Sequence, residues 1–269
     1  MNITAPPRFG YADSPFGQLH YAEQGTGHPL LLLHQTPRSW DEFRELIPLL
    51  APHRRVLAMD MLGFGASAKP SAPHTIELFA AGALALLDAL GIERADVLGH
   101  HTGGAVAIEM AASAPERVGL LVLSSAPWTD ARYRASHADG PGVDEAVPSP
   151  DGEHLVRLWG LRRPYYPNPV TGLLDRFMHD ALVPGVDPAE GHRACARYRM
   201  EDRIGLVKAP VLLLAGSQDP FAFPAMTPLR EHLTAASVRS AVIDGGTIPL
   251  MEHMPAQVAE AVAAFLTGG

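Results

Sequence analysis

The sequence predicts an α/β fold: a doubly wound, mostly parallel sheet of eight strands, interrupted once by an inserted helical stretch. Short apolar runs at Leu30 to Leu33, Arg55 to Met59, Asp96 to Leu98, Leu120 to Leu123, Val211 to Ala215 and Val238 to Ile243 have the length of strands buried on both faces. Stretches with apolar residues at helical spacing separate most of them. That alternation packs as parallel strands joined by right-handed crossovers. From Trp128 to about Arg203 the alternation stops, and prolines punctuate shorter helical pieces.

In chain order, Arg8 to Tyr11 and Gln18 to Glu23 alternate well enough for an opening antiparallel hairpin, turned by Ser14-Pro15-Phe16-Gly17. Trp40 to Leu50 is the expected first crossover helix. Thr75 to Leu90 is the second, with a capping hydroxyl at its start and Gly91 at its stop. Strand Asp96 to Leu98 runs into the turn Gly99-His100-His101-Thr102-Gly103-Gly104 and then an Ala-rich amphipathic helix. In the irregular stretch, Pro141, Pro148, Pro150, Pro164, Pro167, Pro169, Pro184 and Pro188 bound helical pieces expected at Gly152 to Leu161, Leu173 to Leu182 and Ala189 to Tyr198. Pro228 to Leu233 and Pro255 to Leu266 are the closing helices.

A chain of 269 residues can bury a substantial core in one such domain. The net charge is −8 and no run of Lys or Arg tracks phosphates, so nucleic acid is not an expected partner. The single cysteine, Cys195, excludes an internal disulfide and reads as a small buried residue in a reducing compartment. Met1 to Pro7 lack a basic segment followed by an apolar run, and no stretch of about 18 apolar residues occurs. No membrane partner is expected, and the expected location is cytoplasmic. The sequence leaves oligomeric state open, a homodimer included.

The turn at Gly99 to Gly104 has the outline of a nucleophile elbow, G-x-S-x-G, in which small residues let a strand reverse sharply into a helix and expose the central side chain. Its centre is His101. Three further landmarks follow in order: His34-Gln35-Thr36-Pro37, similar to a His-Gly-x-Pro oxyanion loop; Asp60-Met61-Leu62-Gly63-Phe64-Gly65-Ala66-Ser67; and Gly216-Ser217-Gln218-Asp219, similar to an acid-bearing loop. On these motifs the chain resembles the α/β-hydrolase-fold superfamily over almost its full length. The resemblance implies a core at residues 1–127 and 204–269 and a helical lid at 128–203. It places the elbow position at His101, the base position at Thr247 and the acid at Asp219, so two of the three triad positions are altered.

Such a chain cannot assemble a Ser-His-Asp relay. Thr102 carries a hydroxyl, but one residue past the apex of a tight turn. Instead the imidazole has moved from the last loop to the elbow, where Asp219 would orient His101 directly as a general base. This requires a ring nitrogen of His101 within about 3.5 Å of an Asp219 oxygen, directly or through one water. The Thr102 N–H, and a second donor around Gln35, are the expected oxyanion contacts. His34 and His100 read as scaffold first, although His34 joins the candidate site with Gln35, Thr102 and Thr247. Trp159, Tyr166, His192 and Tyr198 are the lid residues expected to shape the pocket. No cofactor is expected. A metal on His34, His101 and Asp219 matches no known ligand spacing, so no metal is expected. Three functions follow: an enzyme using a His101 and Asp219 dyad on a small apolar carbonyl compound, as hydrolase, lyase or isomerase; a catalytically silent small-molecule binder; and, third, a structural or oligomer-forming protein.

Overall fold

The computed structural model of the protein describes residues 6–137, 143–168 and 171–267; Met1 to Ala5, Pro141 and Pro169 lie outside the described residues. Strands β1 (Arg8–Ser14) and β2 (Gly17–Gln24) form the antiparallel hairpin, closed where the Ser14 hydroxyl donates to the Gly17 carbonyl at 2.6 Å. There follow β3 (Pro29–Leu33), α1 (Ile47–Leu50), β4 (Arg55–Met59), α2 (Ile76–Ala89), β5 (Ala95–His100), α3 (Thr102–Ser113) and β6 (Val118–Ser124). Helices α4 (Ala131–His137), α5 (Glu153–Arg162), α6 (Thr171–Ala181) and α7 (Glu190–Arg197) fill the stretch before β7 (Val211–Gly216). The chain ends with α8 (Met226–His232), β8 (Val238–Ile243), α9 (Leu250–His253) and α10 (Pro255–Thr267). The eight strands form one sheet in the order β1-β2-β4-β3-β5-β6-β7-β8, parallel from β4 onward.

Strand periodicity divides the core into two layers. Leu31, Leu33, Val97 and Leu121 point to one face, against Phe79 and Leu86 of α2 and Val106 and Met110 of α3. Their neighbours Leu30, Leu32, Leu98 and Val122 point to the other, against Ile47 of α1 and Val258, Val262 and Phe265 of α10. This is why the central strands are apolar without alternation. The inserted helices build a small cluster of their own around Leu158, Tyr166, Leu174 and Phe177, while Ala194, Cys195 and Tyr198 join the core of the sheet.

The expected helix at Trp40 to Leu50 is not continuous. It is a 3-10 turn over Trp40–Phe43 followed by the short α1, in which Pro48 lacks the N–H to continue an earlier helix. Asp41 and Glu42 in that turn face inward because they serve Arg38, which is fully buried. Arg38 Nε donates to Asp180 of α6 at 2.9 Å and Nη1 to Glu252 of α9 at 2.6 Å. Nearby, Arg176 of α6 donates from Nε to Asp41 at 2.6 Å. One guanidinium thus ties the loop after β3 to the inserted helices and to α9. Helix α4 gave no sequence signal. Among the described residues no helix is long and apolar enough to cross a membrane.

Removing one partner of a buried ion pair strands the other without solvent. Arg38→Met is expected to cost about 3–5 kcal/mol in urea-induced unfolding. A loss under about 1 kcal/mol would show that the network does not hold these elements together.

Candidate active site

The backbone at the end of β5 leaves room for nothing but glycine on either side of the turn. A Cβ on Gly99 would lie 2.1 Å from the Gly103 carbonyl oxygen, and one on Gly103 would lie 2.0 Å from that of Leu33. Between them His101 takes φ 46° and ψ −114°, a left-handed conformation that a non-glycine residue adopts only when its surroundings over-determine it. The His101 N–H donates to Ser124 at 3.0 Å and its carbonyl accepts from Gly104 at 2.8 Å, so both flanks of the apex are fixed. The ring stands in front of α3.

His101 Nε2 lies 2.9 Å from Asp219 Oδ2. The oxygen is off the line of the ring N–H, so the contact is electrostatic at hydrogen-bond distance rather than a linear hydrogen bond. Asp219 is fully buried, and its Oδ1 accepts from the N–H groups of Phe221 at 3.0 Å and Ala222 at 2.9 Å. Burial pushes its pKa up, but the facing imidazole of His101 and those two N–H groups outweigh burial and hold it at about 2. The neighbouring His100 is neutral, held at about 3 by burial first and by His101 second. Its Nε2–H donates to the Ile248 carbonyl at 3.1 Å and its Nδ1 accepts from Ser124 at 3.2 Å, which pins the last loop against the elbow.

A cavity of about 550 Å³ opens in front of His101. Apolar wall comes from Pro127, Trp128, Val143, Phe221 and Ile248; polar points are His101, Thr102, Thr36, Gln35, Arg162 and His192. Asp219 lies behind the His101 ring. Thr102 is the first residue of α3, so its N–H has no helical carbonyl to take it, and its hydroxyl pairs with that of Thr36 at 2.9 Å.

Besides Asp219, five residues expected in the site do not line the cavity. His34 spends both ring nitrogens on scaffold: Nδ1–H donates to the Gln35 carbonyl at 2.7 Å and Nε2 accepts from Met61 N–H at 2.9 Å. The Tyr198 hydroxyl donates to Glu109 at 2.9 Å inside the core. Trp159 and Tyr166 pack with Phe177 among the inserted helices. Thr247 is half-buried with its hydroxyl unpartnered, and its neighbour Ile248 reaches the cavity instead. Gln35 does line the cavity, but its backbone N–H is not free for an oxyanion. Its backbone N–H donates to Glu42 Oε2 at 2.8 Å and its side-chain amide meets Glu42 Oε1 at 2.5 Å. Burial pushes the Glu42 carboxyl up to about 8 against the pull of Arg38.

Sequence reasoning missed Thr36, Glu42, Tyr133, Asp144 and Arg162. Thr36 could have been found, because it lies inside the His34 to Pro37 motif. Asp144 and Arg162 obey no spacing rule; they meet only in three dimensions.

A profile of the alpha/beta hydrolase fold matches residues 28–254. The chain is 32% identical over 189 residues to the 2-hydroxy-6-oxo-2,4-heptadienoate hydrolase of Pseudomonas putida, covering 69% of this chain and 59% of that one. It is 42% identical over 105 residues to the 2-hydroxymuconate semialdehyde hydrolase of a Pseudomonas species, covering 38% of this chain and 37% of that one. Less than two thirds of either relative is therefore matched. Haloalkane dehalogenase 2 of Mycobacterium bovis is 35% identical over 210 residues, covering 76% of this chain and 66% of that one. Among solved structures, an epoxide hydrolase from an endophytic Streptomyces superposes with a TM-score of 0.81 at 23% identity, covering 97% of this chain and 96% of that one. The enol-lactonase of Burkholderia xenovorans gives 0.76 at 22% identity, covering 96% of this chain and all of that one. At these identities the structures show a shared fold.

Asp219 at about 2 lies below the usual carboxyl value of 3.8, so its ionisation stabilises the folded state at every pH above that value. The contribution, about 2 kcal/mol, is lost as pH falls from about 4 to about 2. In His101→Ala the main opposing charge is gone and burial raises the carboxyl. The acid limb of stability is expected to move to higher pH, and the variant's deficit to shrink below about pH 3. Coincident acid limbs in urea titrations of the two proteins would refute the coupling.

Proposed function

The chain belongs to the alpha/beta hydrolase fold family, and from that premise we propose that it is a hydrolase in which His101, oriented by Asp219, acts as general base on a small, mostly apolar, carbonyl-bearing substrate. The observation that carries this reading is the 2.9 Å contact of Nε2 with a fully buried carboxylate, beneath a ring that lines the cavity. Because Nε2 faces Asp219, Nδ1 is the nitrogen able to take a proton.

Water beside Nδ1 gives up a proton to the ring as its oxygen adds to the substrate carbonyl carbon. The oxyanion that forms accepts from the Thr102 N–H, at the positive end of α3. Collapse breaks the bond to the leaving group, which takes the proton from His101. Asp219, with its pKa near 2, stays ionised and stabilises the imidazolium between the two steps. Esters, lactones and β-diketones fit this chemistry, and a lyase or isomerase step would use the same base. An acyl group on His101 itself would have Thr247 where the family places its second base, so water attack is the simpler route. Helices α4 and α7, which carry Tyr133, His137, His192 and Cys195 into the cavity wall, act as the lid of a cytoplasmic enzyme.

On a panel of aryl esters, lactones and β-diketones, His101→Ala is expected to abolish turnover and Asp219→Asn to lower kcat/KM by about 10²–10⁴. A serine-directed fluorophosphonate should leave the protein unlabelled. Full activity in His101→Ala would place the base elsewhere. Binding without turnover of any compound by the unaltered protein would make it a small-molecule binder.

A further inference from the structure

A second histidine bonded to a carboxylate lines the same cavity, and its surroundings differ from the first. His192 of α7 brings Nε2 within 3.1 Å of Asp144 Oδ2 and 3.1 Å of Arg162 Nη2. Arg162 in turn grips Asp144 with two bonds: Nε donates to Oδ1 at 2.6 Å, and Nη2 donates to Oδ2. Asp144 is 1% exposed and Arg162 7%, and the guanidinium carbon sits 4.9 Å over the Phe177 ring. Asp144 takes a left-handed backbone, φ 64°, in which aspartate is among the better-tolerated residues.

The charge arithmetic of this cluster is what separates it from His101 and Asp219. Arg162 cancels Asp144, so no net negative charge is left to hold His192 as imidazolium. Burial lowers the His192 pKa and the Asp144 contacts only partly restore it. The cluster is therefore neutral around pH 7. His192 Nδ1 has no partner among the described residues, and the ring is 23% exposed on the cavity it lines. If Nε2–H donates to Asp144, Nδ1 offers a lone pair; if Nε2 accepts from Arg162, Nδ1 offers an N–H. A hydroxyl, being both donor and acceptor, satisfies either tautomer. A carboxylate would find a guanidinium whose charge Asp144 already balances, and a neutral ring.

We propose that His192, with Asp144 and Arg162, forms a recognition point for an uncharged hydroxyl on the substrate and discriminates against a carboxylate in that place. The proposal rests on this cavity being the substrate site, and it names part of the substrate class.

The test reads binding, so its failure is separable from failure of the His101 base. Acetophenone, 4-hydroxyacetophenone and 4-acetylbenzoate are titrated into the full-length protein at pH 7 and followed by the imidazole NMR signals of His192 and His101. The hydroxyl compound is expected to bind about tenfold more tightly than acetophenone, and the carboxylate more weakly than either. His192→Phe should erase the hydroxyl advantage while acetophenone still binds. Asp144→Asn should release Arg162 and make the carboxylate the tightest of the three. The proposal is overturned if none of the three binds, if the unaltered protein shows no hydroxyl preference or favours the carboxylate, or if the preference survives in His192→Phe. It is also overturned if a folded Asp144→Asn protein gains nothing for the carboxylate. Should that variant fail to fold, the unaltered protein and His192→Phe decide the matter.

Discussion

The site depends on a steric constraint at the end of β5. Gly99 and Gly103 approach neighbouring backbone so closely that a single methyl group at either would overlap a carbonyl oxygen. That packing holds His101 in a left-handed conformation which a histidine would not adopt alone. Strain at the apex lifts the ring off the sheet and toward the loop after β7, where Asp219 waits in a fixed carboxylate cradle. The rest of the fold supplies the anvil: Leu33 beneath, Ser124 alongside, and His100 pinning the last loop through Ile248.

Buried charge is the second theme. Among the buried ionic groups of the described residues, three bear on the site and its frame: Asp219 with His101, Arg38 with Asp41, Asp180 and Glu252, and Arg162 with Asp144 and His192. Each does a different job because its charges balance differently. Asp219 faces a lone imidazole and can stabilise a positive ring. Asp144 is already matched by a guanidinium, so its histidine is left neutral. Arg38 faces three carboxylates, Asp41, Asp180 and Glu252, and bonds elements far apart in sequence. The same residue types thus give base, recognition point and brace.

Much of this was legible in order along the chain. Apolar runs marked the parallel strands, and Val238 to Ile243 agrees with β8 residue for residue. Thr75 does cap α2, accepting from Leu78 N–H at 3.1 Å. The helix expected from Trp40 broke because Asp41 and Glu42 turn inward toward partners that periodicity does not reveal. Tyr198 and Trp159 fit pocket walls as well as packed cores on sequence alone, because aromatic residues suit both. Only their neighbours, Glu109 for one and the Phe177 cluster for the other, separate the two roles. The Gln35 backbone N–H is likewise engaged by a residue that periodicity does not reveal: Glu42, seven residues away, accepts it.

By itself the sequence determined the fold, the sharp turn with a histidine at its apex, and the carboxylate on the loop after β7, because each is written in local pattern: period, glycine spacing, strand-to-loop order. The tertiary structure alone decided what that histidine touches, which polar groups face the cavity, and that Arg162 and His192 line it while both bond Asp144. Contacts between residues distant in the chain are set by how layers pack and where buried charge can be neutralised, and a one-dimensional pattern carries no record of either.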